Sequence, residues 1–258
     1  MMITGTMVLE GGATRGVFTS GALDYLMEKD VYLSHVIGVS AGSCNGVDYV
    51  SRQPGRTRDC MIQKDKEYNY YFGLKDFIKE KSVLDMDMVF DRYPNEIFPF
   101  DFDTYFASEM ECEIVITNCV TGRAEYRTEE EDRDMLMRLC RASSSMPLLA
   151  PMVNIDGVPY LDGGLADSIP IERALEKEND KIVLILTRNP GYRKKPTSRA
   201  MANLYRRAYK KYPNLVSVTI QRNYIYNRQM NLIEAGGGGE DLRTAAFDPH
   251  GVTIGEKL

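Results

Sequence analysis

The chain has 258 residues, 43% of them hydrophobic and 27% charged, the balance of a globular domain and not of a disordered chain. Its net charge of -5 argues against a general nucleic-acid binder, and no stretch is apolar over the ~20 residues a bilayer-spanning helix needs. Five scattered cysteines with no CxxC pair indicate neither a disulfide framework nor a zinc site, so free thiols and no metal are expected.

In chain order, "TMVLE" reads as a strand and "RGVFTSGALDYLMEK" as a helix with Val17, Phe18, Ala22, Leu23 and Leu26 on its apolar side. "HVIGV" follows as a strand and "AGSCNGVDYV" as a helix. Short apolar strands alternating with helices predict an α/β fold, with a parallel sheet covered on both faces. Residues 68–106 hold roughly half of the aromatic residues, with Pro94 and Pro99 as breakers. This segment reads as an insertion, either aromatic packing that seals a crossover or a lid or acyl-binding wall. Regularity returns with "CEIVITNCV" as a strand, "DRDMLMRLCRAS" as a helix, and "MVNI" and "VPYL" as a hairpin around Asp156-Gly157. "PIERALEKE" reads as a helix, "KIVLILT" as a strand, and residues 198–234 as two helices broken near Pro213. The run Gly236 to Gly239 reads as a flexible loop inside one domain spanning 1–258, because too few residues follow it to fold alone. The N-terminus lacks the basic-then-apolar pattern of a secretory signal, which gives a cytoplasmic expectation.

Gly38-Val39-Ser40-Ala41-Gly42 fits GxSxG. The letters alone are a weak signal, but here a strand precedes and a helix follows, as a nucleophile turn requires. Gly38 and Gly42 leave room for the tight backbone, and the helix N-terminus aims free N–H groups at a developing oxyanion. At the end of the first strand, "EGGATRG" places Gly11 and Gly12 where a backbone nest can form. It reads either as an anion-binding loop, as a plain helix-start turn, or as a dinucleotide fingerprint. The last is weakened because Ala13 takes the middle glycine of GxGxxG and Asp30 does not end a second strand. Arg15 opposes the helix dipole and needs an offsetting carboxylate such as Glu10, or a bound anion. In "YLDGGLADSIP", Asp162 with Gly163 and Gly164 sits on a turn at a strand end, while Asp167 and Ser168 are candidate caps for the helix after Pro170.

Together these pieces resemble the patatin-like phospholipases, serine acyl hydrolases with a Ser-Asp dyad. The resemblance runs from Met7 to about Thr187 and includes "RASSSMPLLAP" before the aspartate. It implies a three-layer α/β/α sandwich with a mainly parallel sheet, lipid acyl esters as substrates and no cofactor. By position it implies Ser40 as nucleophile, Asp162 as base, and Gly11, Gly12, Arg15 and Gly16 as the oxyanion loop. Ala13 stands where the family usually has a third glycine; a positive φ would strain it, whereas at negative φ its N–H can still donate.

The base is the open question. His35 precedes Ser40 by five strand residues, about 16 Å, and cannot reach it. His250 would complete the Ser-Asp-His order of a triad hydrolase. The dyad is the expectation: Asp162 takes the Ser40 proton while N–H groups around Gly12, Ala13 and Ala41 hold the oxyanion. Alternatives are the Ser40-Asp162-His250 triad, an acyltransferase, a non-catalytic lipid- or anion-binding protein, and a nucleotide-binding protein. The basic run "YRKKPTSRAMANLYRRAYKK" reads either as a solvated helix face or, through Arg206, Arg207, Lys210 and Lys211, as a peripheral contact with anionic lipid at the inner membrane surface.

Overall fold

Runs of Val, Ile and Leu build the strands. β1 (Met2–Leu9) and β2 (Tyr32–Val39) pair in parallel with Leu9 opposite Gly38, joined through a 3₁₀ turn (Ala13–Arg15) and α1 (Gly16–Glu28). α2 (Ala41–Val50) starts one residue after β2. α3 (Arg56–Met61), a π-helical segment α4 (Met88–Ile97) that contains Pro94, and α5 (Phe102–Phe106) precede β3 (Glu111–Asn118). Then come β4 (Ala124–Arg127), α6 (Arg133–Ser143), β5 (Val153–Ile155), β6 (Val158–Asp162), α7 (Ile171–Glu176) and β7 (Ile182–Ile185). α8 (Arg199–Ala208), α9 (Pro213–Glu234), β8 (Thr244–Asp248) and β9 (Gly251–Thr253) complete the chain. This computed structural model describes residues 2–63, 66–71, 82–177, 179, 181–236, 244–248 and 251–253.

The strands form one mixed sheet in the order β5-β6-β3-β2-β1-β7-β8-β9, with β4 also paired to β3. β3, β2, β1, β7 and β8 run parallel, while β4, β5, β6 and β9 pair antiparallel to their neighbours. Successive strand residues divide between the faces, as a two-residue period demands. Met7, Leu9, Val36, Ile114 and Ile116 pack in the core shared with Leu23 of α1, Val47 of α2 and Leu136 of α6. Val8, Ile37, Val39 and Val115 point the other way, onto α7 and onto Tyr226 and Met230 of α9. The fold is therefore a three-layer α/β/α sandwich.

On α1, Leu23 is buried and Phe18, Ala22 and Leu26 pack against the same core, as expected, with Gly16, Thr19 and Ser20 buried as well. Other expectations need correction. Asp167 and Ser168 do not cap α7: Asp167 accepts hydrogen bonds from Tyr126 and Gln229, and Ser168 Oγ donates to Gly164 O. α8 ends at Ala208, so Lys210 and Lys211 lie in the turn beyond it and do not share its face with Arg206 and Arg207. Pro213 is the first residue of α9, where its missing N–H costs nothing. Asp156 and Gly157 both have positive φ, 52° and 82°, the geometry of a type I′ hairpin turn. Beyond the glycine run, β8 adds a parallel strand beside β7. His250, Gly237 to Gly239 and residues 72–81 of the aromatic-rich segment lie outside the described residues. No helix of the described residues is long and apolar enough to cross a membrane.

Candidate active site

Ligand sites in parallel α/β sheets form beyond the carboxyl ends of the strands, and the motif residues gather there. Ser40 joins β2 to α2 with φ 56° and ψ -126°, a conformation disfavoured for any residue with a side chain. Ser40 N–H donates to Ser143 Oγ at 2.8 Å, and Ser143 Oγ donates to Val115 O at 2.6 Å. Inside the turn, Ser40 O accepts from both the N–H and the hydroxyl of Ser43, at 2.9 and 2.6 Å. Gly38 is required because an added Cβ would lie 2.5 Å from Ser43 Cα.

The glycine-rich loop presses against this turn. A Cβ on Gly11 would lie 2.7 Å from Val39 O and 2.8 Å from Ser40 Cβ, so only glycine permits the approach. Thr187, beyond the end of β7, secures the loop from the far side: its hydroxyl donates to Gly11 O and its N–H to Glu10 Oε2. Ala13 takes φ 48°, the strained alternative. No side chain caps α2, and the N–H groups of Gly12, Ala13 and Ala41 have no partner among the described residues. These are open donors beside Ser40. Arg15 is exposed, with Glu10 as its favourable charge, while burial and Arg188 lower its pKa. Gly16 begins α1 and packs on Ala41 and Asn45, so it shapes the loop from beneath.

Asp162 ends β6, opposite Ile116 of β3, so β3 separates it from β2, two strand spacings or about 10 Å at the backbone. Both side chains reach across the strand end. Asp162 is 1% exposed. Its N–H donates to Ser145 O at 2.8 Å and its Oδ1 accepts from Gly164 N–H at 2.8 Å. Oδ2 makes no hydrogen bond of ordinary geometry, while the Ser40 hydroxyl is near enough to act on the carboxyl. Burial raises the Asp162 pKa, against the opposing pull of Arg222, the Ser40 hydroxyl, Gly164 N–H and Lys194. Gly163 lies so close under Val115 O that a Cβ would overlap it.

Ser40 opens into an apolar cavity of about 330 Å³, walled by Val47, Met61, Phe90, Met137, Leu149 and other side chains of α2, α3, α4 and α6. Its polar wall residues Asp48, Arg56 and Thr57 satisfy one another and Phe98 O. The aromatic-rich segment contributes Tyr70, Tyr71, Phe90 and Tyr93 to this wall. Cys44 and Cys60 also line it, and burial pushes their thiols up to about 11 and about 12, so they act as small apolar groups. All five cysteines are free.

His35 is buried near the opposite end of β2, with Nδ1 against Thr6 Oγ1 and Nε2 3.6 Å from Glu113. Three groups were not visible in the sequence as parts of this site: Ser143 and Ser145, which brace the backbones of Ser40 and Asp162, and Arg222 of α9, whose charge acts on Asp162. "RASSSMP" held a signal for the first two; nothing distinguished Arg222 from Arg228, the other basic residue of its helix.

YjjU of Escherichia coli K-12, itself uncharacterized, is 28% identical over 189 residues, covering 70% of this chain and 51% of YjjU. Probable lipid hydrolase 463L of Invertebrate iridescent virus 6 is 25% identical over 191 residues, covering 68% of this chain and 65% of that protein. The chain thus spans about half of one curated relative and under two thirds of the other. The crystal structure of VipD from Legionella pneumophila aligns at a TM-score of 0.44 with 15% identity, over 99% of this chain and 63% of VipD. Residues 7–175, which carry the glycine loop, Ser40 and Asp162, match the family model for patatin-like phospholipases, and the chain belongs to that family.

Proposed function

We propose that the protein is a lipid acyl hydrolase that cleaves carboxylic esters through a Ser40 acyl-enzyme with Asp162 as base. The observation that carries this reading is the Asp162 carboxylate: buried, raised in pKa, with Oδ2 uncommitted and the Ser40 hydroxyl beside it. A carboxylate is a weak base toward a hydroxyl, and a raised pKa narrows the gap. Ser40 Oγ attacks the acyl carbonyl as its proton passes to Asp162, and the oxyanion receives hydrogen bonds from the N–H groups of Gly12, Ala13 and Ala41. The proton then moves to the departing alcohol. Water attacks the acyl-enzyme, giving its proton to Asp162, and the carboxylic acid leaves as Ser40 recovers its hydroxyl proton. The acyl chain occupies the apolar cavity, where each methylene removed from water contributes about 0.8 kcal/mol to binding.

The test is covalent labelling by a fluorophosphonate, read by peptide mass. Label is expected on Ser40, absent in Ser40→Ala and reduced by at least about 10³-fold in rate in a folded Asp162→Asn variant. His250→Ala is expected to keep at least about a third of the wild-type rate, the loss of a residue outside the chemistry. A 10³-fold loss in His250→Ala would replace the dyad by a triad.

A further inference from the structure

A second cavity, of about 400 Å³, adjoins the first and has a more polar lining. Met146 lines both cavities, so the apolar one and this one meet at a single side chain. Its basic lining residues are Arg193, Lys194, Lys195 and Arg222, and no carboxylate lines it among the described residues. Arg193 is committed to Glu234 and Asn231. Lys195 and Arg222 bring positive charge with no acidic partner in the wall, Lys194 adds an ammonium, and Thr197, Thr219 and Asn223 add polar atoms.

Arg222 ties this cavity to the reacting centre. Its Nε donates to Gly164 O at 2.5 Å. A Cβ on Gly164 would lie 3.1 Å from Asp162 Oδ1 and 3.2 Å from Arg222 Nη2, so the base and the guanidinium flank one glycine. Lys194 is half-buried, with Nζ donating to Ser168 Oγ at 3.1 Å and lying 4.0 Å from the centre of the Tyr226 ring. Burial, then Arg222, lower its ammonium to about 7, against the pull of Glu10 and Asp162. A cation kept this short of counter-charge gains from an anion placed beside it.

We propose that this cavity seats the phosphate-bearing head group of the substrate, and that Lys194, Lys195 and Arg222 select an anionic head group over one that carries its own ammonium. The assignment rests on the acyl-hydrolase reading: an ester bond at Ser40 has its acyl chain on the Met146 side that is apolar and its phosphate on the side that is basic. A glycerol-type head group leaves the phosphate charge for the three basic side chains. A choline-type head group brings a quaternary ammonium into a wall with no carboxylate to receive it.

The experiment compares calorimetric binding of dihexanoyl phosphatidylglycerol and dihexanoyl phosphatidylcholine, both as monomers, to the full-length Ser40→Ala chain in physiological salt. The glycerol lipid is expected to bind at least tenfold more tightly, and adding Lys194→Gln with Lys195→Gln is expected to erase the difference. Lys195 is exposed, so Lys195→Gln alone tests the charge without disturbing packing, with about a threefold loss of discrimination expected. Equal affinity for the two lipids, or discrimination unchanged in the double variant, overturns the proposal. Displacement of the lipid by an equal concentration of glycerol 3-phosphate also overturns it, since a free phosphate ester would then be the occupant. Turnover of both lipids by the unmodified chain is read separately: discrimination without hydrolysis supports the anion seat and removes the acyl-hydrolase reading.

Discussion

Two buried carboxylates sit toward opposite ends of the same sheet and are treated in opposite ways. Glu113 of β3 is 2% exposed and fully engaged: Arg173 donates to both its oxygens, at 2.6 and 3.0 Å, Lys177 lies 3.3 Å away and His35 3.6 Å away. Burial alone would raise its pKa, but His35, Arg173 and Lys177 bring it down to about 2. Asp162 is equally buried, but one oxygen has no committed partner and its pKa is raised. His35 and Glu113, with Glu111, are also close enough together to hold a metal ion. Arg173 and Lys177 already take up those carboxylates, which makes the cluster a structural ion-pair network. One carboxylate is tied into an ion-pair network; the other keeps an oxygen without a partner, as the proposed base requires.

The largest expected effect breaks this contrast from both ends. Glu113→Gln leaves Arg173 and Lys177 without their shared anion and is expected to cost about 3 kcal/mol in denaturant unfolding, with turnover per folded molecule within twofold of wild type. Asp162→Asn is expected to do the reverse, losing activity while its midpoint stays equal or rises. The pH dependence follows from the same two shifts. Glu113, with a depressed pKa, contributes stability above its ordinary value of 4.5 that is lost as pH falls through about 2. Asp162, with a raised pKa, costs stability once ionised and returns it as pH falls through that raised value. Both differences shrink as the carboxyls protonate, so the stability curves of the two variants are expected to approach wild type from opposite sides as pH falls, Glu113→Gln from below and Asp162→Asn from above.

Next in size is Ser143→Ala, which removes the acceptor of Ser40 N–H and the donor to Val115 O. Leaving those groups without partners is expected to cost about 2 kcal/mol of stability. As Ser143 positions the nucleophile turn, kcat for a soluble ester is expected to fall about tenfold, or about 1.4 kcal/mol, with KM unchanged. Ser143→Thr, which keeps the hydroxyl, is expected to restore most of kcat; equal losses in both variants would assign Ser143 to packing alone. The smallest effect is Ala13→Gly. Relief of the left-handed conformation gains about 1 kcal/mol and the added chain entropy of glycine takes back part, for a net rise of about 0.5 kcal/mol. A fall in thermal midpoint would show that the Ala13 side chain contributes packing that outweighs its strain.

The order β1-α1-β2-α2 was legible because each strand is a short apolar run and each turn carries the glycines its geometry demands. Ser40 and Asp162 were legible for the same reason, as residues on tight turns at strand ends. Pro213 marked the start of α9, and Asp156-Gly157 marked the hairpin. What was hidden depends on long-range placement. α1 also hides Thr19 and Ser20, which apolar periodicity does not encode. Asp167 has the composition of a helix cap, yet Tyr126 and Gln229, 41 and 62 residues away, claim its oxygens. Lys194 belongs to a basic run that reads as a solvated face or a lipid contact, and Arg222 to a helix that carries no charge pattern of its own. Only the packing of α9 against the sheet brings them to Asp162.

The brace at the end of α6 has a consequence in time. Ser143 fixes the backbone of Ser40, and the next residue but one, Ser145, fixes the backbone of Asp162. A nascent chain can form β1, α1, β2 and α2 early, with Ser40 already on its turn. The Asp162 carboxyl joins it only when β6 has been synthesised and docked, and the same few residues that hold β6 also hold the serine turn. On the proposed dyad the serine is armed only at that point, and a truncated product ending before Asp162 is expected to carry an inert serine.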